Sequence, residues 1–514
     1  MRGVEWPAEA YDRHALPERV LQFGTGGLLR AVSAVAVDAA NRAGAFNGRI
    51  VVVQSTNTGL AKVINSQDGL FTLVEEGIAG HERMQRTRVI GSLSRALIAR
   101  DEWMLVRDVI SRPELQVVVS NVTEAGFRLA EAEPGWDPGQ RDAPVSFPAK
   151  VTDLLFTRFT ALGSGPPVHV IPTELLPDNG PLLAGMVDTL ARRCHQADAF
   201  RDWIARQVRF CSSLVDRITT GVPAPGRHAE MESQLGYHDA LLTVTEPYSL
   251  WAIEADPPAL RAVFPVDAVS GGTVTFSPDI DFYRLRKLRL LNGAHTALAP
   301  LAIMEGVRTV REAAGHAILG QFLRELIFGE IGPITAESSG EWQSYATSVL
   351  ERLGNPWLDH EWQVIATNQT AKLKIRVLPS IIDSLARHQR LPRGLVLALA
   401  ASLRYSRVAK RLSATSGWGW WRGGAYPIVD VELDLVDRHW RSADPAASTE
   451  ALPAAVLAAF AAGVLADAGI WGRDLTGMQG LVEAVSEMLL TLEQDGIDAA
   501  VSVASAPHPW STPK

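Results

Sequence analysis

Short apolar runs alternate with stretches of helical period over the first half of the chain. Arg19-Val20-Leu21-Gln22-Phe23, Arg49 to Val53, Leu115 to Val119 and Val168 to Ile171 are mostly apolar and do not alternate with polar residues. Runs of this length suit strands covered on both faces, as in a parallel sheet under helices. Between them, residues 28–42 and 96–111 read as helices. The strand–helix–strand order predicts an α/β chain whose N-terminal domain is doubly wound.

The pattern changes after residue 277. Ser277-Pro278-Asp279 offers a capping hydroxyl, a proline for the first helical position and an acid for the first turn. Beyond it, residues 279–291, 294–305, 313–328, 340–353, 395–403, 453–466 and 480–494 read as helices. Two domains are therefore expected: a dinucleotide-binding domain over 1–277 and a mostly α-helical substrate and catalytic domain over 278–514. Gly417 to Gly424, GWGWWRGG, is expected to form an aromatic-rich loop that serves as a plug or a subunit contact.

Composition narrows the partners. At 514 residues the chain is too long for one ordinary core. A formal net charge of -8 argues against nucleic acid as the main partner. Two cysteines are too few for a disulfide framework or a cysteine-built zinc site, and no His-rich ligand spacing appears, so no metal requirement is expected. Residues 1–13 lack the apolar core of a secretory leader. The longest uncharged stretch, 451–466, falls short of the roughly 20 residues of a membrane span. A soluble, cytoplasmic protein is the expectation, with its oligomeric state open.

Residues 20–30, VLQFGTGGLLR, place Gly24, Gly26 and Gly27 between a buried strand and a helix. Glycine suits this position because the turn is tight and side chains would keep a pyrophosphate from the backbone N–H groups. Leu29 stands where the third glycine of the usual G-x-G-x-x-G would be. The second run ends Gln54-Ser55-Thr56-Asn57, with neither the acid that commonly holds a ribose diol nor an arginine for a 2′-phosphate. Gln54 or Asn57 is the ribose candidate, and NAD(H) is favoured over its phosphorylated form. The third run ends Ser120-Asn121-Val122-Thr123-Glu124. Asn121 and Glu124 are expected at the cofactor, with helix capping the competing role for Glu124.

Residues 283–295, YRLRKLRLLNGAH, carry the candidate chemistry. On an α-helix Asn292 lies about 140° and His295 about 80° round from Lys287. Lysine can exchange a proton with an alkoxide, an amide can donate to a developing oxyanion, and imidazole can hold a neighbouring hydroxyl. Arg284, Arg286 and Arg289 are expected to surround the amine with positive charge. A second basic cluster, Lys372-Leu373-Lys374-Ile375-Arg376, interleaves cations with apolar residues. Lys372 and Arg376 share a face if it is helical, and all three cations share one if it is a strand. Half-buried cations call for an anion such as a substrate carboxylate or a cofactor phosphate. A plain solvated basic face competes with both cluster readings.

These blocks resemble the mannitol dehydrogenase family of polyol-specific long-chain dehydrogenases. The resemblance rests on VLQFGTGGLLRA (20–31), NSQDGLFTLVEEG (65–77), VVVSNVTEAGF (117–127), IPTELLPDNG (171–180), YRLRKLRLLNGAHTALAP (283–300) and AKLKIRVLPS (371–380). It implies a Rossmann-type domain, a helical C-terminal domain and metal-independent hydride transfer with NAD(H). It places the family's catalytic lysine on Lys287, its oxyanion amide on Asn292, its substrate-holding histidine on His295 and a second lysine on Lys372. Two positions depart from mannitol-type members. Their arginine falls on Val364, and an asparagine expected near Thr173-Glu174-Leu175 is replaced by leucine, with Asn179 the candidate substitute. The departures point to a sugar acid of the keto-uronate and aldonate type, with other ketoses and polyols as alternatives, and a non-catalytic nucleotide-binding protein as the remote one.

Overall fold

The computed structural model describes residues 4–6, 10–123, 126–129, 138–194, 196–335, 341–445 and 451–505. The chain forms two compact units, Met1–Tyr283 and Arg284–Lys514. The first is built on a six-stranded sheet of β1 (Glu18–Phe23), β2 (Arg49–Gln54), β3 (Leu93–Ile98), β4 (Val117–Ser120), β5 (Val168–Pro172) and β6 (Val208–Phe210). Every neighbouring pair is parallel. Their order, β3-β2-β1-β4-β5-β6, is that of dinucleotide-binding folds and reverses direction between β1 and β4.

The apolar runs are continuous because each strand feeds two cores. Val20, Ile50, Val52, Val117 and Val119 pack into the core on one face. Leu21, Phe23, Val51, Val53 and Val118 pack into the other. Successive residues point to opposite sides of a strand, so a sheet covered twice needs apolar residues at every position.

Three expectations about elements are corrected. Residues 96–98 belong to β3, and the helix is Ala99–Ile110, with the Glu102 carboxylate accepting from the Ile98 N–H at 2.7 Å. Ser277 ends a strand, Val274–Ser277, and the helix starts later at Asp281, where Asp279 accepts from the Asp281 N–H at 2.7 Å. A second sheet of five strands, built around Phe71–Ala79 and Glu82–Ile90 with Thr243–Thr245 and Thr219–Gly221, lies in the first unit and went unread.

The second unit is largely helical. Every residue of Ala294–Met304 is buried, and all but one of the Arg393–Tyr405 residues are buried. The expected helix over 313–328 is divided into Val310–Gly315 and Ala317–Glu325, the first opened by a Thr309–Glu312 capping box and the second capped by His316. The expected aromatic loop is instead the strand Ser416–Trp421, paired with Val408–Arg411 and Gly424–Val429. Its glycines serve packing: a Cβ on Gly419 would sit 2.3 Å from the Tyr426 ring. Gly417, Gly419 and Trp421 face inward while Trp418 and Trp420 face out, a period of two hidden by glycine's poor strand propensity. Among the described residues no helix is long and apolar enough to cross a membrane.

Candidate active site

In the first unit the three glycines do three different jobs. Gly24 follows β1 at φ +123°, a region that L side chains rarely adopt, and a Cβ there would lie 2.9 Å from the Asn121 carbonyl oxygen. Gly26 caps the helix that begins at Gly27, and a Cβ on it would meet nothing within 4 Å. Gly27 is a packing residue, since its Cβ would lie 3.1 Å from the Gly221 Cα. Helix-to-strand packing, commonly the task of the third glycine, is thus met at 27, and Leu29 instead lies against Gly24.

Gly24 and Gly26 open onto a cavity of about 550 Å³ that Gln54, Asn121, Ser146 and Lys150 also line. No carboxylate lines it among the described residues. Lys150 is buried, and its Nζ donates to the Val145 carbonyl at 2.7 Å. Gln54 is a wall rather than a free hand. Its Nε2 donates to the Thr56 carbonyl and its Oε1 accepts from the Ala61 N–H, each at 3.0 Å, so the amide is spent on its own loop. Asn57 is exposed and accepts from Arg100 at 3.3 Å. Asn121 donates to Thr173 Oγ1 at 3.1 Å and forms the cavity floor beside Gly24. Glu124 lies outside the described residues.

The sequence reading missed Glu174. It is 3% exposed, and its oxygens accept from the Val122 N–H at 2.8 Å and Ser120 Oγ at 3.2 Å, which ties the end of β5 to the end of β4 beneath Asn121. Burial pushes its carboxyl above the usual range. Asn179 is corrected. It is fully buried, with Nδ2 donating to the carbonyls of Pro172, Glu174 and Ser213 and Oδ1 accepting from the Ser213 N–H at 2.9 Å. With every polar atom engaged by backbone, it is a structural clamp and not a substrate contact.

In the second unit, residues 287–293 are a π-helix and not the α-helix assumed from spacing. A hydrogen-bonded ring of five residues returns Asn292 over Lys287, where α-geometry would separate them. Lys287 and Asn292 are half-buried. Of the arginines expected around Lys287, Arg289 pairs with Asp383 at 2.6 Å and Arg286 stacks on Tyr345 at 4.2 Å. Gly293 ends the π-turn, and a Cβ on it would lie 3.1 Å from the Arg376 carbonyl oxygen. The helix Gln369–Arg376 crosses there in backbone contact. Because that segment is helical, Lys372 and Arg376 share a face, while the Lys374 amine lies by Gly472.

His295 is 8% exposed, with His360 and Trp362 edge-on at ring distances of 5.8 and 6.1 Å. Burial, with the positive character of His360, Arg352 and Arg376, pushes its pKa down to about 3. Its Nδ1 lies 2.9 Å from the Leu291 carbonyl, which can only accept, so Nδ1 carries the proton and Nε2 keeps a lone pair. Lys372 donates to the Ile365 carbonyl at 2.7 Å, and burial, then Arg376, holds its pKa below the usual value. Arg376 reaches Thr296 Oγ1 at 3.4 Å, its Nε is buried without a hydrogen-bond partner, and among the described residues no carboxylate lies within ion-pair distance of it.

Known proteins are similar to this chain over nearly its whole length. Residues 18–261 match the mannitol dehydrogenase Rossmann domain model, and residues 279–416 match the mannitol dehydrogenase C-terminal domain model. The chain is 34% identical over 498 residues to an altronate oxidoreductase of Halalkalibacterium halodurans, covering 96% of this chain and 94% of that one. It is 34% identical over 500 residues to the altronate oxidoreductase of Escherichia coli K12, covering 94% and 96%. In fold it is similar to mannitol 2-dehydrogenase of Pseudomonas fluorescens, solved with NAD and D-mannitol, at TM-score 0.69 and 23% identity over 99% of this chain and 98% of that one. A substrate-free D-sorbitol dehydrogenase aligns at TM-score 0.76 and 20% identity over 98% of both chains.

Two outcomes are expected. Asn179→Ala strips a partner from four buried backbone groups and should lower unfolding free energy in urea by about 2–4 kcal/mol, with KM values unchanged in the folded protein. A KM rise without lost stability would restore Asn179 as a substrate contact. For His295 the unfolded chain takes up a proton below pH ~6.5 that the folded site refuses until about pH 3. Stability at this site is therefore complete above pH ~6.5 and is lost as pH falls through that window. His295→Asn should flatten the pH dependence of the urea midpoint between pH 6.5 and 4.

Proposed function

Given that this chain belongs to the mannitol dehydrogenase family and is a dehydrogenase acting on CH–OH groups, we propose that it interconverts tagaturonate and altronate with NAD(H), using Lys287 for proton transfer. The dinucleotide would lie on Gly24, Gly26, Asn121 and the buried Lys150, in a cavity whose described lining holds cations and no acids. Bound NADH supplies a hydride to the ketone carbon. All other steps fall to side chains. The Lys287 ammonium gives its proton to the carbonyl oxygen as negative charge builds there, and takes it back in the oxidative direction. The Asn292 amide donates to the same oxygen. His295, a fixed acceptor at Nε2, holds a substrate hydroxyl.

The observation that carries the acidic substrate is Arg376. A half-buried guanidinium with an orphaned Nε and no carboxylate partner among the described residues is an anion site awaiting its anion, and Lys372 shares its helical face. The likeness to altronate oxidoreductases over most of the chain supports the same substrate. Val364, 62% exposed at the position of the mannitol-type arginine, disfavours mannitol. Fructuronate is the nearest rival, because it offers the same carboxylate and differs only in hydroxyl configuration.

NADH oxidation over tagaturonate, fructuronate, fructose and arabinitol ketose tests the reading. The uronates should be turned over far better than neutral ketoses, and equal rates on fructose and tagaturonate would end the carboxylate argument. NADH binding without turnover of any member would mark a non-catalytic protein. Lys287→Ala should lower kcat by ~10²–10⁴-fold with NADH affinity retained. Near-normal turnover would remove lysine from the role. Arg376→Leu should raise KM for the keto-uronate by about 10- to 100-fold while leaving slow fructose turnover unchanged.

A further inference from the structure

Two buried arginines hold the start of the glycine-turn helix, and only one of them has its charge answered. Arg217 donates to the Ala31 carbonyl at 2.6 Å and pairs with the Glu75 carboxylate at 2.5 Å, which Arg88 also holds at 2.8 Å. Arg30, 2% exposed, has only neutral partners at hydrogen-bond distance. Its Nη1 donates to the Thr25 carbonyl at 2.6 Å, its Nε donates to Thr243 Oγ1 at 3.0 Å, and its guanidinium lies 5.8 Å from the Phe71 ring centre. Among the described residues no carboxylate comes within ion-pair distance of it. The anion that acts on it, Asp239, has its own oxygens engaged by Thr72, Gln67 and Leu241.

Thr25 is the residue between Gly24 and Gly26 and lines the same cavity. A guanidinium pulling on its carbonyl from behind orients the peptide groups of the turn toward the cavity. It also leaves a poorly compensated positive charge one peptide away from the place where a pyrophosphate would lie. Burying such a charge is costly unless an anion answers it. We infer that Arg30 is a positioning residue for the dinucleotide, fixing the glycine turn through the Thr25 carbonyl and lending buried positive charge to recognition of the two phosphates. This rests on the NAD(H) reading above and adds to it a residue that does not itself touch the cofactor.

The test uses the full-length protein and NADH fluorescence titration, with ADP and adenosine as competitors. Arg30→Met should weaken NADH and ADP by about 10- to 100-fold, leave adenosine within about threefold, and leave kcat at saturating NADH nearly unchanged. Arg30→Lys, which keeps the charge but not the two-point grip, should fall between the two for ADP. Equal weakening of ADP and adenosine would reduce Arg30 to a packing residue and overturn the proposal, as would unchanged ADP affinity. If Arg30→Met does not fold, Arg30→Lys decides: ADP-selective loss supports the proposal, while parallel loss of both competitors overturns it. Wild-type protein that fails to bind NADH would instead sink the cofactor reading itself.

Discussion

The helix that carries Lys287, Asn292 and His295 can cross the helix of Lys372 and Arg376 as it does because residue 293 has no side chain. A Cβ at residue 293 would lie 3.1 Å from the Arg376 carbonyl oxygen, so a larger residue there would require the crossing backbones to give by a few tenths of an ångström. That close crossing lets Arg376 reach Thr296 and act electrostatically on His295. It also coincides with the end of the π-turn, so one glycine lies both where the register of Lys287 and Asn292 is set and where the Lys372–Arg376 helix approaches. A π-turn is uncommon and usually marks a place where an extra residue has been accommodated for a function.

Charge bookkeeping separates scaffold from site. Most buried guanidiniums of the described residues have a carboxylate: Arg107 with Asp153 at 2.6 Å, Arg404 with Glu493 at 2.5 Å, Arg217 and Arg88 with Glu75. Arg158 lacks one and instead donates through its two terminal nitrogens to the carbonyls of Ile110, Arg112 and Pro166, while its Nε has no hydrogen-bond partner. Arg30, with two neutral partners, and Arg376, with one, have fewer than Arg158, and each lies beside a glycine at a close approach. A fold that could pair these charges and does not is spending stability where a ligand would return it.

Four of the sheet's six strands, β1, β2, β4 and β5, are legible in the sequence because parallel strands buried on both faces leave an unbroken apolar signature; β3, interrupted by Ser94 and Arg95, and the three-residue β6 leave none. Helix Ala294–Met304 was legible for the same reason, being apolar all round. What escaped reading obeys other rules. Residues 416–421 alternate correctly for a strand, but glycines that make room for the Tyr426 ring look like a turn when the ring is not in view. The Asn179 clamp depends on Ser213, distant in sequence, so nothing local distinguishes it from a ligand-binding amide. The ring of arginines around Lys287 failed because Asp383 neutralises Arg289 from another helix. The glycine, lysine and histidine positions are proposed from chemistry, spacing and family resemblance, whereas the π-turn that changes the mutual angles of Lys287 and Asn292 has no local sequence signal.

Histidine is the side chain most often suited to moving protons near neutral pH, and two lie in this cluster, His295 and His360, the latter also held below its usual pKa by burial and by Lys372, so the assignment of that task to lysine needs a reason. The reason lies in its surroundings. Buried among His360, Arg352 and Arg376, His295 stays neutral down to about pH 3. Its single proton is fixed on Nδ1 by the Leu291 carbonyl, on the side away from Nε2. An imidazole locked in this state offers Nε2 only as an acceptor. It can hold a hydroxyl in place, but it has no proton to give to a forming alkoxide. The donor must be a group that is cationic at neutral pH and carries protons it can release. Arginine is excluded by its basicity, which leaves the amines. Lys372 already donates to the Ile365 carbonyl beside the unpaired guanidinium, a place suited to holding an anion. Lys287, one π-turn from an amide able to stabilise the same oxygen, is the amine to which we assign the proton transfer in the proposed reaction.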